Sequence, residues 1–579
     1  MKNKNIKLTS SRRKFLLNIT KAAAIGTGLN SIPFLKINFA NAISLPNFPQ
    51  NINVYLEKFE NWSGELKAKA LWTCAPKNNE EVVTVINWAK KNNYKVRPKG
   101  KQHNWSPLTI ANNTELTNNV ILVDTKLFLN NVTINKSQYP FQVTAQTGIT
   151  METLTTKLEE FDLGLTCLPA PGELTLGGVL AINGHGSAVS PIDEDSHSSF
   201  NNFGSLSNQI DSLTAIVWDN ESSQYILKKI HRSHPQCQAF LVHLGRAFIT
   251  EVTLRVEKNQ RIRCQSIIGI PAAEIFGDPI TSKFNFSHFI NKSGRAEIIW
   301  YPFTDKPWIK VWSITSEEKP KYSRETNAPY NYPFSDNINE KMSNMIQSII
   351  SGYTKITPQF GKLMYYITSG GLEYSNSFDL WGWSKNLLLY IKPSTLKVTA
   401  NGYVVITKRE NIQKVLNELY KQYNYLIEKY RSQSKYPING PLEIRVTGLD
   451  KACYSEDTSP ILSAINRVDS HPEWDVGIWI NVLTIPGTPF ANHFYTELEE
   501  WIYKNYCEPY ATVRVEWSKG WAYNQSSAWG NKNMIRNIIS SSFKNGGVEN
   551  SDWERAASIL HACDPYRIFS SPLIDALNI

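Results

Sequence analysis

Cysteine is scarce in this chain of 579 residues. The seven present (Cys74, Cys167, Cys237, Cys264, Cys453, Cys507 and Cys563) are odd in number and widely spaced, and no Cys-x-x-Cys occurs. That excludes a disulfide framework. The stretch His231-x-x-His234-x-x-Cys237 has metal-ligand spacing, but it reads as an exposed loop or helix start, and no metal is expected. Two nucleotide-binding signatures are also missing: Gly-x-Gly-x-x-Gly after a first strand, and Gly-x-x-x-x-Gly-Lys-Ser/Thr. No segment approaches the roughly 20 apolar residues of a membrane span. There is no internal repeat and no low-complexity run.

Acidic residues are absent from the first 42 positions, which hold eight Lys or Arg; beyond them the chain carries 53 basic and 51 acidic residues. The net charge of +10 therefore belongs mostly to the leader, and nucleic acid is not an expected partner. Residues 1–42 have the parts of an export signal in order: a basic start, an apolar run from Ala22 to Leu35 broken by Gly26, Gly28 and Asn30, and Ala40-Asn41-Ala42 as a small-x-small cleavage site. Ser11-Arg12-Arg13-Lys14-Phe15-Leu16 resembles the twin-arginine signal, with an ordinary Sec signal as the alternative. A pathway for folded cargo suits a protein that acquires a cofactor before leaving the cytoplasm. The expected location is periplasmic or extracellular, with the export machinery as a transient partner.

What the chain does have is a glycine cluster. Ala170 to Ser187 contains Gly172, Gly177, Gly178, Gly184 and Gly186, whereas the whole chain has 30 glycines. Glycine permits positive φ and close approach of a ligand to the main chain, and successive exposed N–H groups cradle phosphate oxygens. A long phosphate-bearing cofactor is the natural occupant. The length suggests two or three large units, and 41% hydrophobic with 12% aromatic residues is a globular composition.

Around the cluster the pattern is mixed. An amphipathic helix is predicted over 79–93, followed at once by a strand at Lys95–Pro98. Strands are predicted at Val120–Asp124 and Phe141–Thr147, a helix from Met151 to Phe161 with Thr150 as N-cap, a strand at Leu213–Asp219, a helix near 235–244 and a strand ending at Val256. Arg97-Pro98-x-Gly100-x-x-His103-x-Trp105, Thr147-Gly148, Pro171-Gly172-x-x-Thr175-x-Gly177-Gly178, His185-Gly186 and Leu244-Gly245-x-x-x-Ile249-Thr250 together resemble the flavin-binding domain of the vanillyl-alcohol oxidase family. The resemblance implies an α+β fold with a two-lobed, PCMH-type FAD-binding domain. FAD would contact Pro98, Gly100, Lys101, Gln102, His103, Asn104 and Trp105 in a first loop. Pro171, Gly172, Thr175, Gly177, Gly178, Asn183, His185 and Gly186 would form a second, with Ile249 and Thr250 beside it. His103 occupies the position at which many family members bond covalently to the flavin 8α-methyl. His185 reads as a cofactor contact or a structural histidine.

From about residue 260 the texture changes to aromatic-rich, alternating strands, and a substrate-binding domain over 260–515 is expected, with a large antiparallel sheet flanked by helices. The FAD domain would span 43–259, and 516–579 would return to it. The Pro-, Asn- and Tyr-rich loop 322–337 is a candidate lid. Period-2 alternation places Glu297 with Arg295, Ile299 and Tyr301, groups Glu443, Arg445 and Thr447, and leaves Asn481 alone in an apolar strand. Taken alone, the Glu443-x-Arg445 pair reads as a solvated face; the aromatic surroundings of Glu297 and the isolation of Asn481 favour an interior site. Alcohol oxidation needs a hydride acceptor and a carboxylate or amide to take the hydroxyl proton, and an arginine beside a carboxylate orients it.

Val513 to Trp521 resembles the His-Trp-x-Lys segment of the family's sugar and aldonolactone oxidases, but Glu516 stands in place of histidine. With Trp300–Asp305, Glu443–Thr447 and Glu516-Trp517-Ser518-Lys519, the chain looks most like the bacterial cholesterol oxidases with covalent flavin. That resemblance assigns Glu443 and Arg445 to a paired gate or acid/base element and Asn481 and Glu297 to the pocket around a sterol hydroxyl. It sets Glu516 and Lys519 at the flavin. It implies oxidation of a 3β-hydroxysterol by O2, with isomerisation of the 5-ene, and transient contact with a membrane surface for sterol uptake. Which carboxylate is the base stays open. The alternatives are an aldonolactone or alditol oxidase of the same fold and an exported sterol-binding protein without flavin chemistry.

Overall fold

Asn78 starts the first helix for a local reason: its side chain accepts the Glu81 N–H at 2.9 Å, with Glu80 and Glu81 in the first turn and Lys90 and Lys91 in the last. The helix Asn79–Lys91 lays Val82, Val85, Ile86 and Ala89 on a small sheet. The strands of that sheet run in the order Asn53–Glu60, Lys67–Ala75, Val120–Asp124 and Lys95–Lys99, the first pair antiparallel and the others parallel. This computed structural model describes residues 45–165, 167–191, 203–335, 338–452, 454–543 and 551–579. The expected leader and Cys453 lie outside the described residues.

A second, antiparallel sheet follows, built from Val132–Asn135, Phe141–Gln146, Phe248–Lys258, Ile210–Asp219 and Gln224–His231, with Leu163–Gly164 added at one end. Thr150 caps Met151–Glu159, accepting the Thr153 N–H at 3.2 Å. The predicted helix near 235–244 shortens to Cys237–Phe240. Leu244 and Gly245 turn the chain there with φ of 55° and 79°, and a Cβ on Gly245 would lie 2.6 Å from Arg97 Nη2.

The third sheet has ten strands. Its path runs Arg324–Thr326, Asp379–Trp383, Arg261–Ile267, Trp308–Thr315, Arg295–Trp300, Leu442–Gly448, Val476–Thr484, Tyr403–Thr407 and Thr512–Val515, with Thr399–Ala400 alongside Val476–Thr484. All pairs are antiparallel except the first, which is parallel. Every residue of Arg295–Trp300 and of Val476–Thr484 is buried, so these central strands are covered on both faces. The helix Ile412–Ser432 buries Ile412, Val415, Leu416, Leu419, Tyr423 and Leu426. The expected lid is in part a packed wall: Arg324–Thr326 joins the sheet, and Tyr332 is buried edge-on against Trp308.

The last segment crosses back to the first sheet. Val96 N–H donates to Ile568 O at 2.9 Å and Lys95 Nζ to Arg567 O at 2.9 Å. Asp564 pairs with buried Arg246, accepts from Tyr225, and takes the Ile568 and Phe569 N–H groups at 2.9 and 3.1 Å.

Candidate active site

Between the glycine loops and the ten-stranded sheet lies a cavity of about 430 Å³. At one end its wall is main chain. A Cβ on Gly100 would stand 2.2 Å from Thr175 Oγ1, on Gly177 2.9 Å from Thr147 Cβ, and on Gly186 2.8 Å from Leu168 O, so the loops can meet only as glycines. Pro98, Gly100, Lys101, Gln102, His103, Asn104, Trp105, Pro171, Thr175, Gly177, Gly178, Asn183, His185, Gly186 and Ile249 line it.

Two expected contacts do not reach this wall. Gly172 packs against Glu152 and Leu389, and Thr250 faces its own sheet, its carbonyl accepting from Thr147 N–H at 3.0 Å. Asn183 is at the wall, but its amide is occupied elsewhere: Nδ2 donates to Asp450 at 3.2 Å and Oδ1 accepts from Ala464 N–H at 2.8 Å.

His103 stacks on Trp62, centroids 4.6 Å apart at 20°, with Trp105 edge-on. Its Nδ1 is buried without a hydrogen-bond partner, and Glu173 Oε1 stands 3.8 Å away, the other carboxylate oxygen, Oε2, being held by Lys101 at 3.1 Å. Burial lowers the His103 pKa, leaving a neutral imidazole. Trp105 N–H donates to Ser518 O at 2.7 Å, which ties this loop to the segment carrying Glu516 and Lys519.

The middle of the cavity is polar for a reason of register. Lys310, Glu297, Arg445 and Trp479 stand directly opposite one another on four adjacent strands, and Trp308, Ile299, Glu443 and Asn481 form the neighbouring row of the same face. Arg445 therefore reaches Glu297, Glu443 at 3.0 Å and Asn481 Oδ1 at 3.3 Å. Burial works against the Arg445 charge, and the two carboxylates overcome it, raising its pKa. Asn481 does not line the cavity; it lies behind, donating to Glu516 Oε2 at 2.6 Å. Glu516 also faces His185 Nε2 at 3.9 Å, and the His185 ring lies flat on Trp479 at 3.7 Å. Burial lowers the His185 pKa to about 4. Lys519 sits 3.8 Å over the Trp105 ring, and burial lowers its pKa too.

Sequence reasoning missed Lys310, Tyr390, Glu173 and Trp62. Lys310 is fully buried, and burial brings its pKa down to about 8. Its signal was Trp308-x-Lys310-x-Trp312, a lysine sharing a strand face with two tryptophans. Tyr390 OH donates to Glu297 Oε2 at 2.6 Å. With Lys310, Arg445 and Lys519 against Glu297, Glu443 and Glu516, three cations balance three carboxylates, as a dry interior requires.

Beyond the charges the wall turns apolar: Ile299, Tyr301, Trp308, Tyr332, Phe334, Leu388, Leu396 and Ile485. Phe360, Met364, Ile367 and Thr368, a stripe at helical spacing on Thr357–Tyr374, complete it. A glycine cradle, a partnerless buried imidazole nitrogen and a polar middle fit a dinucleotide flavin, and the far end fits a rigid apolar substrate.

The family model described as "Cholesterol oxidase, substrate-binding" matches residues 261–578, and that of an FAD binding domain matches 71–193. The chain is 49% identical to a solvent-stable cholesterol oxidase of known structure, TM-score 0.90, covering 92% of this chain and 99% of that one. It is 40% identical to cholesterol oxidase from B. sterolicum, TM-score 0.90, covering 93% and 100%. Among curated proteins it is 25% identical over 267 residues to L-gulonolactone oxidase of Scyliorhinus torazame, 45% of this chain and 52% of that protein. It is also 25% identical over 270 residues to D-arabinono-1,4-lactone oxidase of Candida glabrata, 46% of each. The chain spans about half the length of the curated relatives it matches.

Proposed function

This chain belongs to the cholesterol oxidase family, and from that premise we propose that it oxidises the 3β-hydroxyl of a sterol such as cholesterol to a ketone, reducing O2 to H2O2. FAD, bound against the glycine loops, supplies the acceptor for the hydride leaving the carbinol carbon and the route of its electrons to oxygen. The observation that carries this reading is the charge-balanced cluster of Glu297, Glu443 and Glu516 with Lys310, Arg445 and Lys519, set where the glycine wall meets the apolar one.

The aromatic and aliphatic walls take the steroid rings and exclude water. Glu297, with Arg445 on Oε1 and Tyr390 on Oε2, accepts the sterol hydroxyl proton. Glu443, on the other side of Arg445, shares that cation, which couples the two carboxylates. Glu516 and Lys519 stand on the side of the glycine loops, where a cation near the reduced cofactor is favourable. The same carboxylates move the C4 proton when the 5-ene shifts to the 4-en-3-one. The partnerless His103 Nδ1 supports a covalent bond to the flavin, the sterol comes from a membrane surface, and Arg12 and Arg13 direct export by the twin-arginine route.

Peroxide release with cholesterol, compared with sugar alcohols and aldonolactones, tests the substrate class; a flavin-loaded protein that turns over no sterol defeats it. For the linkage, acid precipitation should leave flavin in the washed pellet, and His103→Ala should release it to the supernatant. Replacing Arg12 and Arg13 together by lysine should retain the protein in the cytoplasm.

A further inference from the structure

Lys310 makes no hydrogen bond with its ammonium. The group stands 3.0 Å from the centroid of the Tyr390 ring and 4.8 Å from those of Trp312 and Tyr332. A desolvated cation on aromatic faces recovers only part of its lost hydration. An apolar side chain of similar length would fill the box without that cost, which points to a role for the charge. The role follows from the other end of Tyr390, whose hydroxyl donates to Glu297 Oε2 at 2.6 Å while Arg445 holds Oε1. A cation over a phenol ring withdraws electron density and makes its hydroxyl a stronger donor.

We propose that Lys310 is a positioning residue acting through the Tyr390 ring: it strengthens the Tyr390 hydrogen bond and, with Arg445, fixes the Glu297 carboxylate in the sterol pocket. This rests on reading Glu297 as the acceptor of the sterol proton. The groups facing Glu297 are Lys310 from one neighbouring strand, Arg445 and Glu443 from the other, and Tyr390 from the segment after Ser384–Leu388. Cys264 and Tyr332 face Lys310 from beyond.

Lys310→Met keeps the volume and removes the charge. Taking a cation from beside a carboxylate disfavours its ionised form. In the flavin-loaded enzyme the acidic limb of kcat/KM for cholesterol should therefore move up by about one pH unit, with kcat falling and KM little changed. Tyr390→Phe should move the limb the same way, and adding Lys310→Met to it should move it little further, because the route through the ring is already cut. An activity-free readout is the protonated-carboxyl infrared band absent from Glu297→Gln, followed against pH; it should appear at higher pH in both variants.

A folded Lys310→Met with an unmoved limb and an unmoved infrared titration overturns the proposal. So does a Lys310→Met shift that persists undiminished in the Tyr390→Phe background. If Lys310→Met does not fold, Tyr390→Phe decides alone, and an unmoved limb there overturns it. If the wild type oxidises no sterol, the proposed function fails, while the infrared titration still decides whether Lys310 acts on Glu297.

Discussion

Asn481 joins the two halves of the charge cluster with a single amide, receiving from Arg445 at 3.3 Å and donating to Glu516 at 2.6 Å. Asn481→Leu keeps the volume and leaves a buried carboxylate oxygen without that donor. Such a loss costs about 1–3 kcal/mol. If it is felt equally at the transition state, kcat/KM for cholesterol falls about 5- to 150-fold, and steady-state kinetics beside a denaturation curve separates the two effects. Asn481 and Glu297 were legible as interior positions because alternation along a strand assigns faces, whereas Glu443 and Arg445 were legible only through the family resemblance, since alternation alone reads a Glu-x-Arg pair as solvated. Lys310 and Tyr390 were not, since a lysine in a strand ordinarily marks solvent, and no local pattern reveals that Tyr390 lies against Glu297, 93 residues away. The buried histidines give a pH signature. Burial lowers the His185 pKa from 6.5 to about 4 and the His243 pKa to about 3. The unfolded chain binds protons at these sites as pH falls below 6.5 while the folded chain does not, so stability drops from 6.5 towards 4. The His185 share is on the order of 3 kcal/mol. Unfolding free energy measured at steps between pH 7 and 4.5 should decline, and the decline should be shallower in His243→Gln; a flat profile contradicts the neutral burial of these rings.

Strands and capped helices were read closely where alternation or an N-cap was strong, as at Val120–Asp124 and Met151–Glu159. The misreadings have tertiary causes. The helix expected at 235–244 stops at Phe240; Leu244 and Gly245 then turn left-handed, and Arg246 pairs with Asp564. The helix Thr357–Tyr374 went unread, although Phe360, Met364, Ile367 and Thr368 stand at helical spacing, because Gly361, Gly370 and Gly371 weaken its local propensity. Asp564 lets the contribution of the C-terminal segment be measured. Arg246 is wholly buried and Asp564 nearly so. Asp564→Ala leaves that guanidinium uncompensated and should cost about 3–5 kcal/mol in denaturant unfolding. Asp575→Ala breaks a more exposed pair with Arg567, side chains 51% and 30% accessible, and should cost under about 1 kcal/mol. Equal losses in the two variants would mean that the segment is held by apolar packing instead.

At the scale of the molecule, the cavity is the place where the two halves of the chain depend on each other. The glycine loops supply one wall and the strands carrying Glu297, Glu443 and Arg445 the other, while Trp105 N–H on Ser518 O and Asn183 on Asp450 fasten loop to sheet. The glycine motifs announced the first wall. The second became visible only as isolated polar residues in apolar strands, because sheet order is a long-range property that spacing does not encode. A cofactor that binds only when both walls are formed stabilises both, by RT ln(1 + [L]/Kd), which is about 4 kcal/mol at a thousand-fold excess over Kd. The covalent attachment through His103 proposed above would remove the concentration term, since a tethered flavin cannot leave on dilution. The melting temperature of the flavin-loaded wild type should then be independent of added FAD. That of His103→Ala should climb with each tenfold increase in free FAD, and fall on dialysis as the colour leaves. If the wild-type midpoint also rises with added FAD, the flavin is held by equilibrium binding; if the His103→Ala midpoint stays level at every FAD concentration, the cavity does not couple the two halves.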